Sequence, residues 1–132
     1  MTEIIHTQEY DRWSFDPPMP VLDIGLSRPG TQSFSASVAA VIDTGADGSL
    51  IPIDLLERID APHIDQAYIR GITGDRQPVD LYLVTIQVAA VTVHGVRAVA
   101  LPSGAPTILG RDVLNQLHIA LVGTAGVTEV FL

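Results

Sequence analysis

One carboxylate in this sequence sits where a carboxylate is costly. The run Val38-Ala39-Ala40-Val41-Ile42 is apolar throughout and ends on Asp43, with Thr44, Gly45, Ala46 and Asp47 directly behind it. A core strand that delivers an ionisable group to the interior must compensate its lost hydration, so such strand ends are uncommon. Thr44 adds a hydroxyl, and Gly45 lets the backbone approach a neighbouring carboxylate or ligand closely. Two readings stand side by side. Asp43 either caps its own turn by accepting nearby backbone N–H groups, or it does acid–base chemistry on something the glycine admits.

A second segment has the same grammar. Pro106-Thr107-Ile108-Leu109-Gly110-Arg111-Asp112 is an apolar run, a glycine and then a helix start, with Val113, Leu114 and Leu117 as the apolar face of a helix over Arg111–Leu117. Alone it is an ordinary strand-to-helix junction. Between the two lies Gly71-Ile72-Thr73-Gly74-Asp75, flanked by extended runs at Ile64–Gly71 and Gln77–Val88. That pattern predicts a hairpin with a pliable tip.

The remaining elements must position these three segments. Residues 1–20 read as an irregular lead-in, with a short strand around Thr2–His6 and a turn-prone run from Asp16 to Pro20. Val21–Ser27 alternates as a strand, Arg28-Pro29-Gly30-Thr31 turns, and Ser33–Ile42 is its antiparallel partner. Pro52–Ile59 reads as a short helix with Pro52 in its first turn. Ala90–Leu101 is expected to form a hairpin turning at His94-Gly95, and Thr107–Leu109 a short buried strand. His118–Val122 and Val127–Leu132 are strands around the Gly123–Gly126 turn. The sum is one all-β domain over residues 21–132, a small closed barrel with one or two short helices.

Composition narrows the functions. The chain has 132 residues, 47 % of them hydrophobic and 17 % charged, which suits one folded domain. The net charge is −8, and all seven basic residues are arginine. Such a surface repels phosphate backbones and anionic lipid, so neither nucleic acid nor a membrane is an expected partner. Without cysteine there is no disulfide, thiolate nucleophile or cysteine metal site. His6, His63, His94 and His118 lack metal-ligand spacing. No signal-like or membrane-length apolar segment is present, so a cytoplasmic protein is the default expectation.

Taken together, the three segments resemble the retropepsin family, the retroviral-type aspartic peptidases and their cellular and bacterial relatives. The likeness runs from about Ser33 to Val122. Asp43-Thr44-Gly45-Ala46-Asp47 stands where the family has its catalytic loop and Ile69–Gly74 where it has its flap. Ile108-Leu109-Gly110-Arg111-Asp112 resembles the hydrophobic-hydrophobic-glycine segment and the helix start behind it. Only one Asp-Thr-Gly occurs. Family chains of this size take the second aspartate from a second copy, so the resemblance implies an obligatory two-fold homodimer.

The resemblance also implies the chemistry. Two carboxylates about 3 Å apart share one proton because both cannot ionise cheaply. The ionised member draws a proton from a water between them, the water attacks the scissile carbonyl, and the protonated member acts as acid. No metal or cofactor takes part, and the pair titrates as a unit, giving a bell-shaped rate profile on the acidic side. Thr44 would lock the two loops across the axis. Gly45 and Asp47 would bind substrate main chain, while Arg111 would brace the loop by pairing with Asp47. Ile69, Gly71, Ile72 and Gly74 would form the flap over an extended polypeptide. Arg70, Thr73 and Asp75 make that tip more polar than in viral relatives. Ala46, Leu50, Ile72 and Ile108 would line side-chain pockets, predicting apolar residues beside the cleaved bond. Val127–Leu132 is a candidate strand for the dimer sheet, or equally an edge strand within one chain.

Two other functions remain open at this level. One is a dimer of the same shape that binds peptides without cleaving them. The other is an acid hydrolase such as a glycosidase that uses Asp43 with Asp47 or Asp112 in one chain.

Overall fold

The computed structural model describes residues 3–31 and 36–132, divided into ten strands and two short helices. In chain order these are β1 (Ile4–Glu9), β2 (Val21–Ser27), β3 (Ala36–Ile42), β4 (Leu50–Pro52), α1 (Ile53–Arg58), β5 (His63–Arg70) and β6 (Arg76–Val88). They continue with β7 (Val91–Leu101), β8 (Thr107–Leu109), α2 (Arg111–Leu114), β9 (His118–Val122) and β10 (Val127–Phe131). Residues 33–35 of the expected Ser33–Ile42 strand, and Thr2 of the expected first strand, lie outside the described residues.

The all-β barrel is found, and its closure follows from the strand order. The large sheet runs β2-β3-β8-β4-β7-β6-β5, and β2 also pairs with β6. Six strands therefore form a closed ring, with β5 added on the outside of β6. Closure pairs both edges of the ring strands and leaves the outer edge of β5 as the sheet's one open edge among the described residues. β6 manages both neighbours by its length of 13 residues: Thr85–Gln87 meet β2, while Arg76–Tyr82 meet β5.

Period-two alternation fills the ring. Along β2, Leu22, Ile24 and Leu26 are buried and Asp23 is exposed. Ile51, Val84, Ile86, Ala98 and Leu109 meet them from the other strands, with Leu56 of α1 and Val113 of α2 closing the ends. Fully burying an aliphatic side chain of this size contributes about 1.5–3 kcal/mol. The apolar run before Asp43 enters the core only at alternate positions. Ala40 and Ile42 are buried but Ala39 is exposed, because a barrel strand has one inner face.

Four expectations give way. Ala90–Leu101 is not a hairpin: Val91–Leu101 is one strand, and the turn lies at Ala89-Ala90. Gly95, with φ +70°, sits in a bulge where His94 and Gly95 oppose the single residue Thr85. A glycine of positive φ serves a bulge as readily as a turn. Second, the strand expected around Thr2–His6 is Ile4–Glu9, and it pairs with β10 in a three-stranded sheet ordered β1-β10-β9. Third, β10 is therefore the central strand of that sheet, with both hydrogen-bonding edges taken, and it cannot offer an edge to a second copy. The helix expected to reach Leu117 stops at Leu114 and continues as turns.

Candidate active site

The site begins with a parallel pair. β3 and β8 run side by side with Ile42 opposite Leu109, so their following residues, Asp43 and Gly110, leave the barrel at the same rim. The Asp43 N–H donates to the Leu109 carbonyl at 3.0 Å, carrying the pairing one residue past the strand. Asp43 is half-buried at the rim rather than enclosed in the core, because β3 ends one residue before it. Its Oδ1 accepts the Gly45 N–H at 2.9 Å, so the turn-capping role is present. Among the described residues nothing bonds to Oδ2, and the Asx contact uses only half of the carboxylate.

The loop that carries Asp43 is held from behind at several points. The Arg111 N–H donates to the Ala46 carbonyl at 2.9 Å and its Nη1 to the Thr44 carbonyl at 2.7 Å. Its Nη2 forms an ion pair with Asp47 Oδ1. A planar guanidinium reaches a carbonyl and a carboxylate together, which an ammonium does poorly. Gly110 has no room for a side chain: a Cβ there would lie under 3.0 Å from the carbonyls of Gly48 and Ala46.

Sequence reasoning missed a second clamp. Ser49 is wholly buried; its hydroxyl donates to Asp112 Oδ1 at 2.8 Å and its amide to Oδ2 at 3.1 Å. The same hydroxyl accepts the Gly110 N–H at 3.0 Å. No local pattern marks Ser49, and Asp112 was named only as part of the helix start behind Gly110 and as an alternative catalytic carboxylate. Both Asp47 and Asp112 are thus committed to holding the loop.

In front of the loop lies a cleft of about 470 Å³. Its walls are Gly45, Ala46, Asp47, Gly48 and Leu50 on one side, with Val99, and Tyr68, Ile69 and Arg70 of β5 on the other. Of the residues named from sequence, Gly45, Ala46, Asp47, Leu50 and Ile69 come together here. Gly71, Ile72 and Gly74 do not line it. They form the tip of the β5–β6 hairpin, closed by the Gly74 N–H on the Gly71 carbonyl at 3.0 Å, with the Ile72 side chain fully in solvent. Ile108 lies in β8 opposite Leu50, half-buried, and outside the cleft wall. Tyr68, Gly48 and Val99 were not foreseen.

Elsewhere, the hydrogen bond from His63 holds the Asp80 carboxyl below its ordinary range, with Gln66 adding to the effect. The Ser14 backbone N–H does the same for Asp11. Among the described residues, no group of three or more His, Asp or Glu side chains could hold a metal ion, and no helix is long and apolar enough to cross a membrane.

Comparison with known proteins agrees with this arrangement. No curated protein matches the chain by sequence. A crystal structure of a retropepsin-like aspartic protease from Rickettsia conorii superposes with a TM-score of 0.63, covering 99% of this chain and 94% of that one. At 9% identity that likeness is one of fold. The family described as "gag-polyprotein putative aspartyl protease" matches residues 35–116, a span that contains the Asp43 loop, the hairpin and the Gly110 junction. With that match over more than half its length, the chain belongs to the retropepsin-like aspartyl proteases of the gag-polyprotein type.

Proposed function

We propose that two copies of this chain pair about a two-fold axis to form one aspartic endopeptidase, each supplying Asp43 to a single carboxylate dyad. The observation that carries this reading is the asymmetry of the Asp43 loop. It is clamped from behind by Arg111, while Thr44 and Gly45 are exposed in front and Asp43 Oδ2 is unbonded among the described residues. A single Asp-Thr-Gly leaves that front face to be completed by its own image.

In the dimer the paired carboxylates share one proton, and the ionised one acts as base toward a water held between them. The water's oxygen bonds to the scissile carbonyl carbon while the protonated member donates to the carbonyl oxygen. Collapse breaks the C–N bond, and the carboxyl that took the water's proton passes it to the leaving nitrogen. The other carboxylate takes back a proton from the intermediate's hydroxyl, restoring the shared proton. Thr44 hydroxyls would join the two loops across the axis. An extended peptide would lie in the cleft along β5, whose outer backbone edge is unpaired within the described sheet. The hairpin tip from Gly71 to Asp75 would then close over it as a flap.

The test is a peptide-library digest from acidic to neutral pH with wild type and Asp43→Asn. Cleavage by wild type, lost in the variant, unaffected by chelators and falling in specific activity on dilution, supports the dimeric dyad. Binding without cleavage would make the chain a silent peptide receptor. Activity that is independent of concentration, or abolished by chelators, would sink the dyad.

A further inference from the structure

Resting on that peptidase reading, we propose that Arg70 and Arg76 form a cationic subsite on the hairpin stem that takes the carboxylate side chain of an Asp or Glu in the bound peptide.

The two arginines are directly opposite each other in the β5–β6 ladder, so their side chains leave the same face of the hairpin. Like charges facing each other in this way oppose pairing. The chain has ample acid to relieve the repulsion, with 15 Asp and Glu against seven Arg. Arg28, Arg97 and Arg111 each have a carboxylate partner, to Asp60, Asp65 and Asp47. Among the described residues, Arg12, Arg58, Arg70 and Arg76 have none, and of these only Arg70 and Arg76 face each other across a strand pair. An uncompensated cation pair in so acidic a protein is what an anionic ligand would complete.

Its location says which ligand. Arg70 lines the cleft opposite Asp47 and Gly48. Arg76 does not itself line the cleft, but its guanidinium stacks over the ring of Tyr68, 4.5 Å from the centroid, and Tyr68 does. Tyr68 and Arg70 are two residues apart on one strand and share a face. The stacking fixes Arg76 in advance, leaving its edge free for a bidentate carboxylate. The cleft wall extends past Gly45 to Gly48 without including Asp43. The acidic side chain therefore belongs at a peptide position removed from the cut bond, away from the dyad's own negative charge.

The experiment compares kcat/KM for peptide pairs differing only in Glu against Gln, moved one position at a time along a constant sequence. Wild type should favour Glu about tenfold at one position remote from the cut, less at high salt. That ratio should fall to about one in the Arg70→Gln/Arg76→Gln double variant and turn toward Lys in Arg70→Glu. A Glu preference at no position, or one that survives in the double variant, overturns the subsite. If wild type cleaves nothing, fluorescein-labelled Glu and Gln peptides are titrated by anisotropy onto Asp43→Asn, with and without the double substitution. Tighter Glu binding that depends on the arginines keeps the subsite and removes the peptidase. Equal binding removes the subsite.

Discussion

Asp112 accepts two hydrogen bonds from Ser49, 2.8 Å from the hydroxyl and 3.1 Å from the amide, across 63 residues of chain. This contact and the Arg111 clamp make α2 the rigid backing for the loop that carries Asp43. The loop's own hydrogen bonds are two short turn contacts onto Asp43, from the Gly45 and Ala46 N–H groups, so the rest of its geometry depends on what grips it.

Ser49→Ala should lower stability by about 1–3 kcal/mol, because it strands the buried Gly110 N–H and removes a charge-assisted bond to Asp112. Asp112→Asn should also destabilise, since an amide cannot accept from both Ser49 groups. The double variant should cost less than the sum of the two, as for any coupled pair. Equilibrium urea unfolding reads all three; strict additivity would show that the residues do not act together.

Gly110→Ala should cost about 2 kcal/mol or more, since the new methyl meets carbonyls that cannot swing away. Gly123→Ala is the control. Nothing lies within 4 Å of a Cβ there, and a change below about 0.5 kcal/mol is expected. Thermal melts of both variants check the contrast. Equal shifts would mean the Gly110 contact is soft.

Arg111→Lys should separate stability from activity. The Asp47 partner is almost fully exposed, so the lost ion pair is worth only about 1 kcal/mol. Peptidase activity should nonetheless fall at least about tenfold, because one ammonium cannot hold both the Thr44 carbonyl and Asp47. Paired measurements of urea midpoint and kcat/KM decide it. Full activity with Lys would reduce Arg111 to a solvated surface residue.

The Asp80 carboxyl lies below its ordinary 3.8 in the fold, chiefly through its hydrogen bond with His63. A depressed carboxyl contributes stability that is present above the unfolded value and lost as pH falls through the folded one. Asp80→Asn should therefore weaken the pH dependence of stability below about pH 4 and leave the slope near neutrality unchanged. Urea midpoints across pH 2.5 to 7 give the comparison. An unaltered acid slope would mean that His63 does not favour the ionised form.

Much of the architecture was legible because it is local. The alternation of Leu22, Ile24 and Leu26 marks β2, the apolar stop at Gly110 marks β8, and Gly71 with Gly74 marks the hairpin tip. Gly95 misled for the same reason, since a bulge and a turn ask the same φ of one residue. Val127–Leu132 misled differently: nothing in a strand's own residues says whether one edge or both are taken. Arg111 with Asp47 was nameable only through the resemblance.

By itself, the sequence determined that a carboxylate would stand at a strand end beside a glycine, in an acidic all-β chain holding one such motif. Side-chain type and periodicity are written residue by residue. Tertiary structure alone decided that β3 and β8 run parallel, so that Asp43 meets Gly110, and that Ser49 reaches Asp112. Those are pairings between distant segments, and which segments meet is set by how the whole barrel closes over its core.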